Sequence, residues 1–258
     1  MKPTFLNQKK PLLTTMIQKR TPGEIIETIK KAIPAGADAF GIQIDQLERQ
    51  YHKEEIYREI FAAMEGRPVY VTYYRGNQNG DRPDEELAEG LHQLAAAGAT
   101  LCDVMSDFYA PHPDQVATDE AAVARQMKLI EELHGMGAEV LVSAHFNKYA
   151  TPLRVLEAAK MQKARGADIS KIVIHTDTMA QQIEHMSTIE LLRGELGIPF
   201  LFLTSNQCHL IRRIGPMMGV CMYLCVYEHD ALSTPMQPLL RHAKAIRDNF
   251  GLFESEEA

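Results

Sequence analysis

The stretch Gly-Ala-Asp-Ile-Ser-Lys-Ile-Val-Ile-His-Thr at residues 166–176 has the composition of a buried strand with one lysine, Lys171, inside it. An apolar run of this length is typical of a strand that is covered on both faces, as in a parallel sheet. Burial without a partner favours the neutral amine, which can attack a carbonyl carbon and form a Schiff base. The alternative is a lysine with a packed stem and its ammonium in water. The strand by itself leaves both open.

The rest of the chain repeats a unit of a strand-like run followed by a helical pattern, and the unit occurs eight times. The predicted strand–helix pairs are 12–18 with 22–33, 38–44 with 53–64, 69–74 with 84–97, 100–105 with 119–136, 139–145 with 152–165, 169–176 with 178–196, 200–205 with 207–214, and 219–227 with 235–250. Such alternation requires parallel crossovers, and the composition shows no break. We therefore predict an α/β fold, a single (β/α)8 TIM-barrel domain over residues 1–258.

Turn residues agree with this division. Glycine lies just past four predicted helices and before the next strand, at residues 36, 98, 137 and 166, where a left-handed cap is favoured. Pro22 and Pro152 fit the first turn of a helix, and each follows a threonine that can cap it.

Composition narrows the functional classes. The chain has 27 Lys and Arg against 34 Asp and Glu, a net charge of −7, with no basic cluster for nucleic acid. It has no apolar run long enough for a membrane span and no signal-peptide pattern, so we expect a cytoplasmic protein. The cysteines are expected to be reduced thiols, since their spacing gives no disulfide framework; they are Cys102, Cys208, Cys221 and Cys225. Phosphate-loop, zinc and serine-hydrolase motifs are absent, so no cofactor and no metal is expected.

Two histidines lie at predicted strand ends, where barrel active sites form. His145 ends the fifth strand and His175 ends the sixth, on the same face as Lys171 by the two-residue period. Histidine titrates near neutrality and suits general acid–base work. A structural, hydrogen-bonded role is the alternative for each, and composition does not choose between them.

Four motifs in order resemble the type I 3-dehydroquinate dehydratases, a (β/α)8 family of the shikimate pathway and of aromatic amino acid biosynthesis. Asp-Ile-Ser-Lys-Ile-Val at 168–173 is similar to the family's Schiff-base strand, and Ser-Ala-His-Phe at 143–146 is similar to its catalytic histidine strand. Leu-Ile-Arg-Arg-Ile-Gly at 210–215 resembles the helix that carries the carboxylate-binding arginine. Ser-Thr-Pro-Met-Gln at 233–237 resembles the segment that closes over substrate.

The resemblance implies a role for each matching residue. Lys171 would form the imine and His145 would move the proton. Arg213 would hold the substrate carboxylate, and Ser233 and Gln237 would belong to the lid. The implied partner is a small cyclic keto carboxylate, with no nucleic acid and no membrane, and the implied assembly is a homodimer.

The departures from the family pattern concern substrate recognition. Where the family has Glu-x-Arg-x-Asp on strand two, this chain has Gly41, Gln43 and Asp45. Tyr74 replaces the arginine of strand three, unless a bulge or a one-residue shift brings Arg75 there.

The family glutamate that orients the histidine matches Gln78. An amide cannot stabilise an imidazolium by charge, so His145 is expected to hold a proton more weakly than in the family.

Three hypotheses follow from this pattern. The first is a 3-dehydroquinate dehydratase, which eliminates water to give 3-dehydroshikimate. The second is a divergent Schiff-base lyase or aldolase on a related carboxylate-bearing ketone, because polar recognition groups are lost while the chemistry is kept. The third is a non-catalytic ligand-binding homologue.

Overall fold

The computed structural model describes residues 3–206 and 209–250, in which eight strands alternate with eight helices. The strands are β1 (Leu12–Ile17), β2 (Ala39–Gln43), β3 (Val69–Thr72), β4 (Leu101–Met105), β5 (Glu139–Phe146), β6 (Ile169–Thr176), β7 (Phe200–Asn206) and β8 (Met222–Cys225). The helices are α1 (Pro22–Ala32), α2 (Glu54–Ala62), α3 (Asp84–Ala97), α4 (Glu120–Gly135), α5 (Pro152–Ala164), α6 (Met179–Glu195), α7 (Leu210–Met218) and α8 (Leu240–Asn249). The predicted (β/α)8 fold is confirmed.

All neighbouring strands pair in parallel, in the order β7-β6-β5-β4-β3-β2-β1-β8. The two ends of this order meet where the Cys221 N–H donates to the Phe200 carbonyl at 3.0 Å. The sheet is therefore a nearly closed barrel. β6 pairs on both sides, with Lys171 opposite Ser143 of β5 and Leu201 of β7, so the lysine lies in the middle of the sheet.

The predicted turn chemistry is also present. Thr21 and Thr151 cap α1 and α5, and each is followed by a proline in the first helical turn. The four glycines at 36, 98, 137 and 166 have positive φ, a conformation that side chains rarely adopt. These local signals set where each unit ends.

The last two units differ from their predicted bounds. α7 begins at Leu210 and continues through Pro216 to Met218, whereas Gln207 and Cys208 lie outside the described residues. α8 begins at Leu240 instead of residue 235, because residues preceding the prolines at 235 and 238 disfavour helix. The segment between β8 and α8 instead folds back, with the Val226 N–H donating to the Pro238 carbonyl at 2.9 Å. This loop brings residues 234–237 to the mouth of the barrel.

Among the residues that the structure describes, Cys221 and Cys225 are free thiols. Burial raises the pKa of Cys221 and of Cys225 to about 12, so both stay protonated. Within residues 3–206 and 209–250, no helix combines the length and apolar character needed to cross a bilayer.

Candidate active site

A cavity of about 500 Å³ opens at the carboxyl ends of the strands. Its wall includes Lys171 of β6, His145 of β5 and Gln43 of β2, all of which the sequence predicts as site residues. Gln237, from the loop before α8, completes the wall at the outer end. The fold therefore brings together residues from four separate parts of the chain, at the end of the barrel where active sites form.

Lys171 is buried, with 4% of its surface exposed, but its amine is not alone. Nζ lies 3.0 Å from Asp103 Oδ2 and donates to the Tyr70 hydroxyl at 2.9 Å and to the Tyr74 hydroxyl at 2.6 Å. Lys171 is therefore buried together with a carboxylate partner, an arrangement that neither of the two alternatives from the sequence includes. Inward-facing side chains of neighbouring strands meet inside a barrel, and the three partners come from β3, from the residue Tyr74 just beyond it and from β4.

Asp103 is the centre of this group, and it is 1% exposed. Its Oδ2 accepts from Lys171 and from the hydroxyls of Tyr70 and Tyr74, and its Oδ1 accepts from Ser143 Oγ at 2.5 Å. A buried carboxylate is stable only when it is paired and hydrogen-bonded in this way. We call these five residues the lysine cluster.

The two phenols of the lysine cluster remain protonated. Burial raises the pKa of Tyr70 and of Tyr74 well above the usual value, and the adjacent Asp103 carboxylate raises the pKa of both further. Both hydroxyls therefore act as hydrogen-bond donors to Asp103 while they accept from Lys171.

His145 is a neutral base at the cavity wall. Burial, and then the charge of Lys171, lower the pKa of His145 to about 3. Its Nδ1 lies 3.0 Å from Gln115 Oε1, and its backbone N–H donates to the same oxygen at 2.8 Å. Because an amide oxygen only accepts, Nδ1 carries the proton and Nε2 keeps the free lone pair. The ring packs edge-on against Tyr74, with centroids 5.6 Å apart.

The amide that contacts His145 belongs to Gln115 and not to Gln78, which is a correction. After β3 the chain turns through Gly76, which has φ of 103°, into a short 3-10 turn at Asn77–Asn79. Gln78 lies outside the cavity wall, and its carbonyl accepts from Arg49.

His175 also lies outside the cavity wall. Its Nε2 is 3.2 Å from Asp177 Oδ1, and its side chain is 35% exposed. Of the two candidate histidines, only His145 faces the cavity.

Arg212 of α7 lies in the cavity wall, whereas the sequence predicts Arg213. Arg213 bends back along its own helix, with Nη1 donating to the His209 carbonyl at 3.1 Å. Arg212 is 6% exposed and its Nε donates to the Thr204 carbonyl at 2.6 Å. One residue turns a helix by about 100°, which explains the difference. Burial, and then the charge of Arg213, lower the pKa of Arg212 to about 10, so it remains a cation at neutral pH.

Of the two predicted lid residues, only Gln237 reaches the cavity. It is 5% exposed, and its Oε1 has no hydrogen-bond partner in the structure. Ser233 instead closes a local turn, where its hydroxyl accepts from the Asp230 N–H at 2.8 Å. Its neighbour Thr234 is in the cavity wall and accepts from Gln18 Nε2 at 3.2 Å.

Arg75 borders the cavity, but its guanidinium is already paired. It donates to Asp84 at 2.8 and 2.6 Å and to Asp107 Oδ1 at 2.8 Å. Tyr74, and not Arg75, reaches Lys171, so neither a bulge nor a shift restores the family arginine. Arg82 is engaged too, donating to the Tyr73 hydroxyl at 2.6 Å.

Gly41 and Gln43 of β2, which differ from the family pattern, fit the side chains around them. A Cβ at Gly41 would lie 2.2 Å from Met16 Sδ and 3.0 Å from Tyr70 Cδ1, so these side chains fill the space of the family glutamate. Gln43 accepts from Gln18 Nε2 at 3.1 Å and donates to Asp45 Oδ2 at 3.1 Å. Neutral groups therefore replace charged ones along this wall.

Sequence reasoning missed the partners of the two central residues. Tyr70 and Thr72 share one face of β3 by the two-residue period, and Tyr74 continues this spacing two residues beyond the strand. Asp103 is a lone acid in the buried strand Leu-Cys-Asp-Val-Met. This second charged residue in a buried strand was therefore a usable signal that the lysine has a partner of opposite charge. No sequence signal marks Gln115, because it lies on an irregular loop.

No three His, Cys, Asp or Glu side chains of residues 3–206 and 209–250 are grouped so that they could hold a metal ion.

Comparison with protein families gives one match, which covers nearly the whole chain. Residues 14–252 match the family model described as type I 3-dehydroquinase. The sequence matches no curated protein.

Solved structures with the same fold include three 3-dehydroquinate dehydratases. The type I enzyme of Clostridium difficile, solved with covalently modified comenic acid, is 15% identical, with a TM-score of 0.79 over 93% of this chain and 92% of that one. The Geobacillus kaustophilus enzyme is 16% identical, with a TM-score of 0.78 over 93% and 90%. The Enterococcus faecalis enzyme is 15% identical, with a TM-score of 0.76 over 96% and 98%. At these identities the likeness establishes the fold.

Proposed function

The chain belongs to the type I 3-dehydroquinase family, lyases that eliminate water from 3-dehydroquinate through a lysine Schiff base, and we propose that Lys171 forms this Schiff base and His145 moves the proton. The observation that carries the proposal is the position of the Lys171 amine inside the cavity wall that it shares with His145. A nucleophile and a base that face one cavity can act on adjacent carbons of one substrate.

The proposed reaction begins with loss of a proton from Lys171 and attack of Nζ on the ring ketone. The resulting iminium draws electrons from the neighbouring carbon, and the free Nε2 of His145 removes a proton there. The enamine then expels the β-hydroxyl, which takes the proton back from His145 and leaves as water. Hydrolysis of the conjugated iminium releases 3-dehydroshikimate and restores Lys171.

Substrate binding is assigned to Arg212 and Gln237. Arg212 is a buried guanidinium in the cavity wall and is suited to a carboxylate, because a guanidinium can donate two parallel hydrogen bonds. Gln237 Oε1 is a buried acceptor without a partner, which a substrate hydroxyl can satisfy. Thr234 takes the place that the sequence gives to Ser233.

A second candidate is a Schiff-base lyase that prefers a related keto carboxylate with fewer hydroxyl contacts. It is favoured by the neutral wall at Gly41 and Gln43 and by Arg75 and Arg82, whose guanidinium groups are already engaged. Each charged hydrogen bond lost to the ring hydroxyls would remove about 1.5–3 kcal/mol of binding. On this ground we expect weak use of 3-dehydroquinate, with kcat/KM below about 10⁴ M⁻¹s⁻¹.

Borohydride reduction in the presence of 3-dehydroquinate, followed by peptide mass spectrometry, tests the proposal. We expect a reduced adduct on Lys171, accompanied by turnover in a steady-state assay. An adduct without turnover would favour the second candidate, and no adduct would favour a non-catalytic ligand-binding protein. Efficient turnover at micromolar KM would remove the case for altered specificity.

The control variant is Lys171→Met, which should give no adduct and lose several orders of magnitude in rate. Because it leaves Asp103 as an unpaired buried charge, the double variant Lys171→Met/Asp103→Asn serves as a second control with a neutral interior. A folded Lys171→Met protein with a tenth of wild-type turnover would exclude the Schiff-base mechanism.

The homodimer and the cytoplasmic location stay predictions from the sequence.

A further inference from the structure

Tyr74 occupies a position that no step above has used. Its hydroxyl accepts from Lys171 Nζ at 2.6 Å and donates to Asp103, and its side chain is also part of the cavity wall. It therefore touches the reacting nitrogen, a carboxylate and the space for substrate at the same time. An oxygen on the carbon that bonds to Nζ lies within reach of the same phenol.

Imine formation needs a proton donor at that oxygen, because hydroxide is a poor leaving group. His145 is poorly suited to this step, since it is neutral and is held by the amide of Gln115. Building on the proposed function, we propose that Tyr74 is a catalytic residue that relays protons between Lys171, Asp103 and the substrate oxygen during imine formation.

The relay keeps atoms and charges in balance. The Lys171 ammonium gives a proton to the Tyr74 oxygen as Tyr74 gives its own to Asp103 Oδ2, which leaves a neutral amine and a carboxylic acid. The amine adds to the ketone carbon, and the former carbonyl oxygen takes the Tyr74 proton while Tyr74 takes one from the new cationic nitrogen. The product is a neutral carbinolamine.

Loss of water uses the same path in the other direction. The nitrogen lone pair forms the C=N bond as the C–O bond breaks, and the departing oxygen takes the Tyr74 proton. Tyr74 is reprotonated by the Asp103 acid, so water leaves and the iminium faces an Asp103 carboxylate. Addition and loss of water together convert an ammonium and a ketone into an iminium and water. The phenol is never left as a phenolate, in keeping with the raised pKa of Tyr74.

Tyr70 provides a matched comparison within the lysine cluster. Its hydroxyl also accepts from Lys171, at 2.9 Å, and donates to Asp103. However, Tyr70 is fully buried and lies outside the cavity wall, so it supports the two groups without reaching a substrate oxygen. Each phenylalanine variant removes one hydroxyl with the same two partners, and only the Tyr74 variant removes the one that faces the substrate.

The test measures imine formation by rapid quenching into borohydride, with 3-dehydroquinate and the wild-type, Tyr74→Phe and Tyr70→Phe proteins. We expect Tyr74→Phe to slow adduct formation by at least about 100-fold, the lower range for general acid–base catalysis. Tyr70→Phe should slow it by less than about tenfold, the scale of one neutral hydrogen bond. Adduct formation by the wild type should also be slower in D2O.

Equal effects of the two variants would overturn the relay and leave Tyr74 a structural residue. If Tyr74→Phe does not fold, the wild-type measurement decides, because equal rates of adduct formation in H2O and D2O would show that no proton transfer limits this step, and the relay would be overturned. A wild-type protein that forms no adduct overturns the proposed function, and the relay with it. If the wild type forms the adduct and Tyr74→Phe forms it as fast as Tyr70→Phe, the relay alone is overturned.

Discussion

At the scale of single residues, the site depends on pairs that the chain order separates widely. Lys171 and Asp103 are each a charged residue in a strand of apolar neighbours, and each would be strongly unfavourable alone. Together they form an ion pair at 3.0 Å that two phenols and Ser143 complete. Removing one member is therefore more damaging than replacing the pair.

The histidine assignment predicts an unequal effect of two alanine variants. His145→Ala should lower the rate of the chemical step by about two to four orders of magnitude, because it removes the base that faces the cavity. His175→Ala should change it by less than about tenfold, since its ring lies outside the cavity and contacts Asp177. Single-turnover kinetics measure the step directly, and a reversed ranking would show that His145 is not the base.

The arginine assignment predicts a similar contrast in binding. Arg212→Met should raise KM for 3-dehydroquinate by about 10- to 100-fold, because a charged hydrogen bond contributes about 1.5–3 kcal/mol. Arg213→Met should leave KM close to wild type, since its guanidinium donates to the backbone of its own helix. Steady-state KM values check the prediction. The opposite pattern would mean that Arg213 turns into the cavity when substrate binds.

At the scale of elements, the loop between β4 and α4 positions the histidine. Gln115 lies on this loop, and Arg165 at the end of α5 holds both of its ends. Arg165 is 6% exposed and donates to the carbonyls of Ser106, at 2.7 Å, and of Ala117. Arg75 holds the same loop through Asp107. The position of His145 thus depends on two arginines whose guanidinium groups are engaged in holding this loop.

Arg165→Met should loosen this loop and weaken the orientation of His145. We expect the free energy of unfolding to fall by about 1.5–3 kcal/mol, the scale of a buried charged hydrogen bond, and kcat to fall more than KM changes. Lys160→Met on the exposed side of α5 is the matched control, because its ammonium lies 3.3 Å from the exposed Glu195. Urea unfolding and steady-state kinetics give both quantities. Equal stability of the two variants would contradict the role given to Arg165.

At the scale of the whole molecule, the barrel gathers at one end what the chain spreads over more than 200 residues. Gln18 and Gln237 face the same cavity because β1, which Gln18 follows, pairs with β8, which precedes the loop that carries Gln237. Parallel strands that all run the same way place every strand end at one mouth. The neutral amides there, together with the filled space at Gly41, make this mouth less charged than the family pattern implies.

The fold could be predicted from the sequence, and so could the two residues that we propose to react. Eight strand–helix units, the helix caps and the glycine turns are local patterns with a short-range physical cause, and all are present. Lys171 was singled out because it lies in an apolar strand, and His145 was preferred to His175 because Ser-Ala-His-Phe at 143–146 resembles the family's histidine strand. The two residues meet at one cavity because parallel strands of a barrel all end at the same mouth.

The surroundings of Lys171 and His145 became visible only in the tertiary structure. Arg212 and Thr234 line the cavity instead of Arg213 and Ser233, because a shift of one residue on a helix or loop redirects a side chain, and Gln115 from a different loop contacts His145 instead of Gln78. Asp103, Tyr70 of β3 and Tyr74 just beyond β3 became partners of Lys171 through packing across the barrel, which no local period encodes. Contacts between distant strands depend on barrel closure and stagger, and for this reason the electrostatic environment of the lysine could not be read from its own strand.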